Sequence, residues 1–528
     1  MKAIVLAIIF FLIFQNLALS KDLRDINNDL NKVVDSSVNF EGDRRASIYI
    51  AYGDKYFSKN FGRGFGNFSE KYDIGGLLRL FIGLGAIKLN EFGKISFGDS
   101  ILKYLPELKG KYQNNIKISD LLEDHTYLPY SYPYKISSTE DLLNFLVRNV
   151  NILRYDELYN RSQISSDILL LIIERSEKIS FKDFFDDLFK EFDLNNTGFY
   201  DNQKGEEFPI SSRFYSSPEN IGKFLSSIMT NKKNYEKIFR RFENTPYDQD
   251  LYFTPSFISQ NITLVDENNV YNKYNLYYQY DDSTSSFVLV IPQKRFAIVF
   301  LSNFPISFDK KDYLAKELLK ISLKDFLNLD VFDYRSNLSL KKIEDKNDFL
   351  SSYKGFFENR KGIIEFHVVD KDLMCNMNKK FYFVKFFNDS SFSLIPLEDN
   401  NDYVKNLRFR FTYINGVRYL DLLNFGQNIL FAREIEEPKY SDIWKERLGK
   451  WISVNKNSLI KDVEIKKFRG FYMLDYIDSE GEKMNLVLMP VSDNSAKLID
   501  FGDLVVNFGS NDQNMSFNFL GDEFIKGN

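Results

Sequence analysis

Tyr72-Asp-Ile-Gly-Gly-Leu-Leu-Arg-Leu-Phe-Ile-Gly-Leu-Gly-Ala-Ile-Lys-Leu-Asn-Glu-Phe-Gly-Lys94 is the stretch from which the fold is read. It opens on a glycine pair, carries Arg79 three residues after Gly76, and runs apolar to a glycine, Gly93, placed where a helix C-terminus takes a left-handed residue. A helix with apolar residues on nearly every side is buried on nearly every side. The stretch therefore predicts a central helix surrounded by other elements. Before it, Ala46 to Ser58 alternates with period two about a Gly-Asp turn, the pattern of a β-hairpin. Before that, Asp22 to Val38 has the spacing of a short amphipathic helix.

Outward from the helix the segments follow in order. Gly93-Lys-Ile-Ser-Phe-Gly-Asp-Ser-Ile-Leu-Lys-Tyr-Leu-Pro-Glu-Leu108 comes directly after it. Ile116-Lys-Ile-Ser-Asp-Leu-Leu-Glu-Asp-His-Thr-Tyr-Leu-Pro129 reads as a helix ending in a loop. A helix covers Ser165 to Glu174, and Phe192-Asp-Leu-Asn-Asn-Thr-Gly-Phe199 reads as a turn. Ser216-Ser-Pro-Glu-Asn-Ile-Gly-Lys-Phe-Leu225 starts another helix, with Ser217 as N-cap and Pro218 at the first helical position. Ser286 to Asn303 is two apolar strands about a turn containing Pro292, and a helix from Lys310 to Phe326 follows.

Taken together, these segments resemble the serine β-lactamase-like hydrolases, which include class C β-lactamases, penicillin-binding carboxypeptidases and related esterases. In that family the central helix opens Ile-Gly-Ser-x-x-Lys, and here the register reads Ile74-Gly75-Gly76-Leu77-Leu78-Arg79. The segment around His125 is similar to the family's Ile-x-x-Leu-Leu-x-His-Thr-Ser-Gly-Leu-Pro, with the histidine one place late and Tyr127 standing alone where the family has Ser-Gly. The resemblance covers residues 22 to 327. It implies an α/β (α+β) β-lactamase/transpeptidase-like domain with an antiparallel sheet.

The resemblance also says what chemistry to look for. Family members converge a serine, a lysine one turn later, a Tyr-x-Asn loop and a Lys-Thr-Gly or His-Ser-Gly strand, with backbone N–H groups forming an oxyanion hole. Here the serine position is Gly76, which has no side chain, and the lysine position is Arg79, which stays protonated and cannot act as a base. The Tyr-x-Asn loop falls on Arg161-Ser162-Gln163, and the third motif on Tyr277-Tyr278-Gln279. The degenerate positions are therefore Gly76, Arg79, Arg161, Gln163, Tyr277 and Gln279, and no catalytic residue is expected. Ser-x-x-Lys recurs at Ser100, Ser307, Ser339, Ser351, Ser453 and Ser458, but none of these opens the central helix. Ser69, the nearest serine, has Tyr72 three places on. Arg79 and His125 are the residues through which a ligand could still be held. Arg79 would take a carboxylate, unless an internal acid such as Asp73 or Glu123 pairs with it.

After a polar linker around Asn337 to Asp348 the texture changes, and Leu350 to Phe357 begins a series of short alternating strands: Gly362 to Val369, Phe381 to Phe387, Ser391 to Pro396, Leu407 to Tyr413, Arg418 to Leu423 and Ile429 to Glu434. A second series begins at Trp444. Strands at this spacing predict all-β barrel-like units, two of them or one larger barrel, and resemble the lipocalin-like domains appended to many members of the family. The expected division is 1–20 signal peptide, 21–327 first domain, 328–348 linker, 349–436 and 437–528 β-units.

Composition bounds the function. In 528 residues, 44% are apolar, with 52 Phe and 32 Tyr, and the formal net charge is −5. Several cores can be filled, and the charge balance gives no reason to expect a nucleic acid partner. Lys2, the apolar run Ala3 to Phe14 and the small residues Ala18 and Ser20 form a signal-peptide pattern, too short to span a bilayer. No other stretch is long and apolar enough to cross, so no transmembrane helix is expected after cleavage. The expected location is periplasm, cell envelope or secretory space (lumenal in a eukaryote). Seven Asn-x-Ser/Thr triplets are the number chance gives in an Asn-rich chain. The one cysteine, Cys375, forms no internal disulfide, and two distant histidines make no metal site. No cofactor and no metal are expected. The expected partners are a peptide or carboxylate in the cleft, or a protein contacting the β-units.

Overall fold

The computed structural model describes residues 26–527 apart from 63–69, 111–114, 127, 129–131, 133–135, 149–160, 201–209, 232–234, 243–250, 282, 333–338, 342–345, 360–361, 378, 399–402, 415, 425–426, 457, 459, 461, 478–482, 499–503, 512–513 and 521. The leader 1–20, Ser69, Tyr127 and residues 333–338 and 342–345 of the linker lie outside the described residues.

An eight-stranded antiparallel sheet organises the first part of the chain. After helix α1 (26–37), strands β1 (Arg45–Tyr52) and β2 (Lys55–Gly62) form the predicted hairpin. The later strands are β3 (Leu251–Phe253), β4 (Ile258–Val265), β5 (Tyr271–Tyr280), β6 (Phe287–Ile291), β7 (Phe296–Ser302) and β8 (Asp330–Val331). Their order across the sheet is β8-β4-β5-β6-β7-β1-β2, with β3 on β4. The first strand thus pairs with one of the last, Ile48 opposite Phe300, and closes the domain on itself. β8 lies inside the stretch 328–348 read as linker, and belongs to the sheet.

Strand alternation sends side chains to both faces, and each face has its own core. On one side Ile48, Ile50, Ile298 and Phe300 pack with Leu30 and Val34 of α1 and with Leu314 and Leu318 of the long helix Phe308–Leu327. On the other, Ala51, Val288 and Val299 pack with the helical half, which includes helix Pro218–Thr230.

The central helix sits in that helical half. A 3₁₀ turn, Gly75–Leu78, leads into α2 (Arg79–Glu91). Every residue from Arg79 to Ala86 is buried, as a helix apolar on nearly every side requires. Its place is fixed by close approach: a Cβ on Gly83 would stand 2.2 Å from the Pro255 carbonyl oxygen. Ser256 donates its hydroxyl to the Leu80 carbonyl at 2.9 Å from the same loop. The helix ends as expected, with Gly93 at φ +67° and Lys94 N–H bonded to Leu89 O at 2.9 Å.

The β-units are two closed eight-stranded barrels. The first runs from Gly355–Asn359 to Gln427–Ile435 and closes Phe356 on Ile435; the second runs from Gly449–Ser453 to Asp522–Lys526 and closes Trp451 on Lys526. Strand Asp372–Met377 of the first barrel was not expected from the sequence. Leu373, Cys375 and Met377 point inward there, but Met374 is apolar on the outer face and hides the alternation. Phe357, Phe366, Phe392 and Phe409 fill the first interior; Trp451, Phe517 and Phe524 fill the second. The barrels meet through Ile363 and Ile435 of one and Phe471, Met473 and Val487 of the other.

Candidate functional site

A cleft opens where the central helix starts. Gly75, Gly76, Arg79, Asp124, Arg161, Ser162, Gln163, Ser166 and Gln279 line it. Of the six positions singled out from the sequence, Gly76, Arg79, Arg161, Gln163 and Gln279 come together here from three separate segments. Tyr277 does not. It lies in the core against Phe239 and Phe257, its hydroxyl donating to Phe239 O at 2.9 Å. The volume left in the cleft is about 20 Å³, room for about one water molecule.

The place of a nucleophile's side chain is occupied. A Cβ on Gly76 would lie 2.8 Å from Arg161 Nη2, 2.9 Å from Asp281 Cα and 2.9 Å from Tyr280 O. Contacts this short are not made by real side chains, and two of the three are with backbone, which cannot swing aside. Arg161 itself is held on all sides. Its Nη1 donates to Gln279 Oε1 at 3.1 Å, and its Nη2 donates to Gly76 O at 3.3 Å and to Tyr280 O. Its guanidinium stacks 4.0 Å over the Tyr280 ring.

The backbone N–H at the start of the helix is occupied as well. Neither Ile74 nor Leu78 offers a capping side chain. Asp281 does so from the sheet: its Oδ2 accepts the Gly76 N–H at 3.1 Å, and its Oδ1 accepts the Ser283 N–H and hydroxyl at 2.9 and 2.7 Å. A carboxylate at a helix N-terminus gains from the free N–H groups and the helix dipole. The Asp281 N–H donates to Ser286 O at 2.7 Å across the β5–β6 turn. The segment facing Gly76 is therefore Tyr280–Asp281, just beyond the Tyr277-Tyr278-Gln279 counted from the sequence. That count could not see that the turn begins at residue 281.

Arg79 faces inward. It donates to Leu121 O and to Ser166 Oγ (3.3 Å), and its Nη2 lies 3.4 Å from Asp124 Oδ1. Its acidic neighbour is thus Asp124, neither Asp73 nor Glu123. Asp124 points there because it takes a left-handed backbone, φ +52°, which Asp tolerates. Burial pushes its carboxyl up, while Arg79 and Arg161 pull it down. The cleft thus sets two guanidiniums against two carboxylates, Asp124 and Asp281. Both terminal nitrogens of Arg79 are engaged by groups of the protein itself.

His125 is 3% exposed and stacks edge-on against Phe253, outside the cleft lining. Burial lowers its pKa to about 4, so it is neutral. Its Nδ1 lies 3.5 Å from Glu123, whose carboxyl burial raises to about 8. It is a buried residue of the loop that follows Leu122. The Arg161-Ser162-Gln163 segment is a helix start: the Ser162 hydroxyl accepts the Ile164 N–H at 3.1 Å and caps helix Gln163–Glu177. Ser100, the Ser-x-x-Lys serine nearest the central helix in sequence, caps a 3₁₀ turn, while Lys103 pairs with Asp99. Among the described residues no group of three or more His, Cys, Asp or Glu is arranged to hold a metal ion.

A sheet closed by its first and late strands, a buried helix opening at a cleft and antiparallel barrels behind it define a β-lactamase-like domain followed by two β-barrels. Comparison with known proteins agrees: residues 67–320 match the family model described as Beta-lactamase. Protein flp of Staphylococcus aureus strain MRSA252 is 25% identical over 360 residues, covering 59% of this chain and 68% of that protein. The strain N315 protein of the same name is 24% identical over 378 residues, covering 63% and 71%. Among solved structures, a class C β-lactamase from Rhodobacter sphaeroides superposes with a TM-score of 0.45 at 13% identity, covering 55% of this chain and 98% of that one. An octameric penicillin-binding protein homologue from Pyrococcus abyssi gives 0.46 at 16% identity, covering 78% and 100%.

Proposed function

We propose that this chain is an exported binding or scaffolding protein that does not hydrolyse substrates by serine acylation. The observation that carries the reading is the filled position at Gly76: the space a serine side chain needs is taken by Arg161, Tyr280 and Asp281. Three further facts support it. The residue one turn on is an arginine, which cannot accept a proton. The Gly76 N–H is held by Asp281. The cleft floor has room for about one water. Export rests on the leader pattern, and the role of the barrels as contact surfaces rests on their size and their position behind the first domain.

The test is covalent labelling. The full chain is incubated with a fluorescent penicillin and a fluorophosphonate, with an active penicillin-binding protein as positive control, and its intact mass is measured. No adduct is expected. A stoichiometric adduct on any serine overturns the reading in favour of a working serine hydrolase with displaced groups.

A further inference from the structure

The cleft is not the only place where an arginine is built into this sheet. Arg241 lies against the β4–β5 surface, half-buried. Its Nε and Nη2 donate to the Ser259 hydroxyl at 3.2 and 3.0 Å, and Nη2 also donates to Asn261 Oδ1 at 3.1 Å and Asn275 Oδ1 at 3.0 Å. The guanidinium stacks 3.9 Å over the Tyr252 ring. Asn275 is turned for this role: its Nδ2 donates to Tyr277 Oη at 3.4 Å, which leaves its oxygen toward Arg241. Every one of these partners is neutral. Among the described residues no carboxylate pairs with Arg241, and its Nη1 carries no protein acceptor and is not among the buried, unpaired atoms.

We propose that Arg241 is the anchor of an anion site, distinct from the cleft, that takes the carboxylate of a small ligand or of a chain end. Four side chains hold the guanidinium in one orientation before any ligand arrives, which lowers the cost of ordering it on binding. One edge of the fork is tied to the sheet, and Nη1 is left to donate outward. The site offers a single positive charge, which matches a monovalent carboxylate better than a phosphate dianion. Asn275 and Gln279 share a face of β5 four residues apart, so the two sites are separated by about 13 Å along the strand. The site is therefore independent of the chemistry proposed for the cleft.

The test uses the full chain and titration calorimetry at low salt, with N-acetylalanine as probe and its methylamide and inorganic sulfate as comparators. Saturable 1:1 binding of N-acetylalanine is expected, with none of the methylamide. Arg241→Gln should weaken it at least tenfold, Arg241→Lys by less, and Arg240→Gln, an exposed neighbour, not at all. Absence of saturable binding, equal binding of the methylamide, or full affinity in Arg241→Gln overturns the proposal. Sulfate binding more tightly than the carboxylate overturns the ligand assignment. Should Arg241→Gln fail to fold, Arg241→Lys and the methylamide comparison still decide.

Discussion

Arg161 and Arg241 lie against the same sheet, each stacked on a tyrosine ring, and they differ in what balances their charge. Arg161 sits with Arg79 opposite Asp124 and Asp281, and the cleft around it leaves about 20 Å³. Among the described residues Arg241 bonds to hydroxyl and amide groups and stacks on a ring, with no carboxylate beside it and no acceptor on one of its nitrogens. The contrast teaches that a guanidinium in a cleft is not by itself a binding group. Where the chain supplies the counter-charge, the arginine is part of the packing; where it supplies only dipoles, the charge remains available.

The comparison can be broken most severely on the cleft side. Arg79→Ala leaves the buried Asp124 without its nearest cation. Removing one member of a buried pair costs about 3–5 kcal/mol, so chemical denaturation should show a large loss or failure to fold. Gly76→Ala should cost roughly 1–3 kcal/mol through overpacking. Combining it with Arg161→Ala should recover only part of that, because Tyr280 O and Asp281 Cα remain in the way. A double-mutant cycle followed by urea melts measures the coupling.

The next effect depends on pH. Asp167, fully buried behind the cleft wall, accepts from Tyr132 Oη and the Ile210 N–H, both at 3.0 Å. Burial lifts its pKa from 3.8 to about 7. The native state keeps that proton while the unfolded chain releases it. The contribution is therefore complete below about pH 4 and is lost as pH rises through about 7. His125 works the other way: the unfolded chain binds a proton that the native state refuses between about 4 and 6.5, so stability rises with pH across that window. Asp167→Asn should remove the fall toward pH 7 and gain roughly 1–3 kcal/mol at pH 8, read from urea midpoints across pH. Arg241→Gln should leave that profile unchanged. It is also the smallest perturbation of the set, within about 1 kcal/mol of the parent at neutral pH, because it exchanges hydrogen bonds among neutral partners at a half-exposed position.

Much of this architecture was legible because it rests on patterns that local chemistry enforces. The largely apolar helix from Arg79, its end at Gly93, the first hairpin, the Ser217 cap and the late apolar hairpin all read directly. The register Ile74-Gly75-Gly76-Leu77-Leu78-Arg79, with counts back from Ile172-Ile173-Glu174 and from Ser285-Ser286, named five positions that meet in one cleft. What could not be read were the two acids that complete it. Asp124 reaches Arg79 only through a left-handed backbone, which spacing does not reveal. Asp281 reaches Gly76 only because β5 turns at that residue. Arg241 gave no signal at all, since its partners are single Ser and Asn residues on two strands whose register is a tertiary fact.

Cys375 points into the first barrel, fully buried among phenylalanines, and burial raises its thiol pKa far above the usual range. A thiol in that position is neither ionised nor within reach of a second molecule. While the barrel stays folded, copies of this chain cannot be cross-linked through sulfur, and its behaviour on a gel should be indifferent to the oxidant around it.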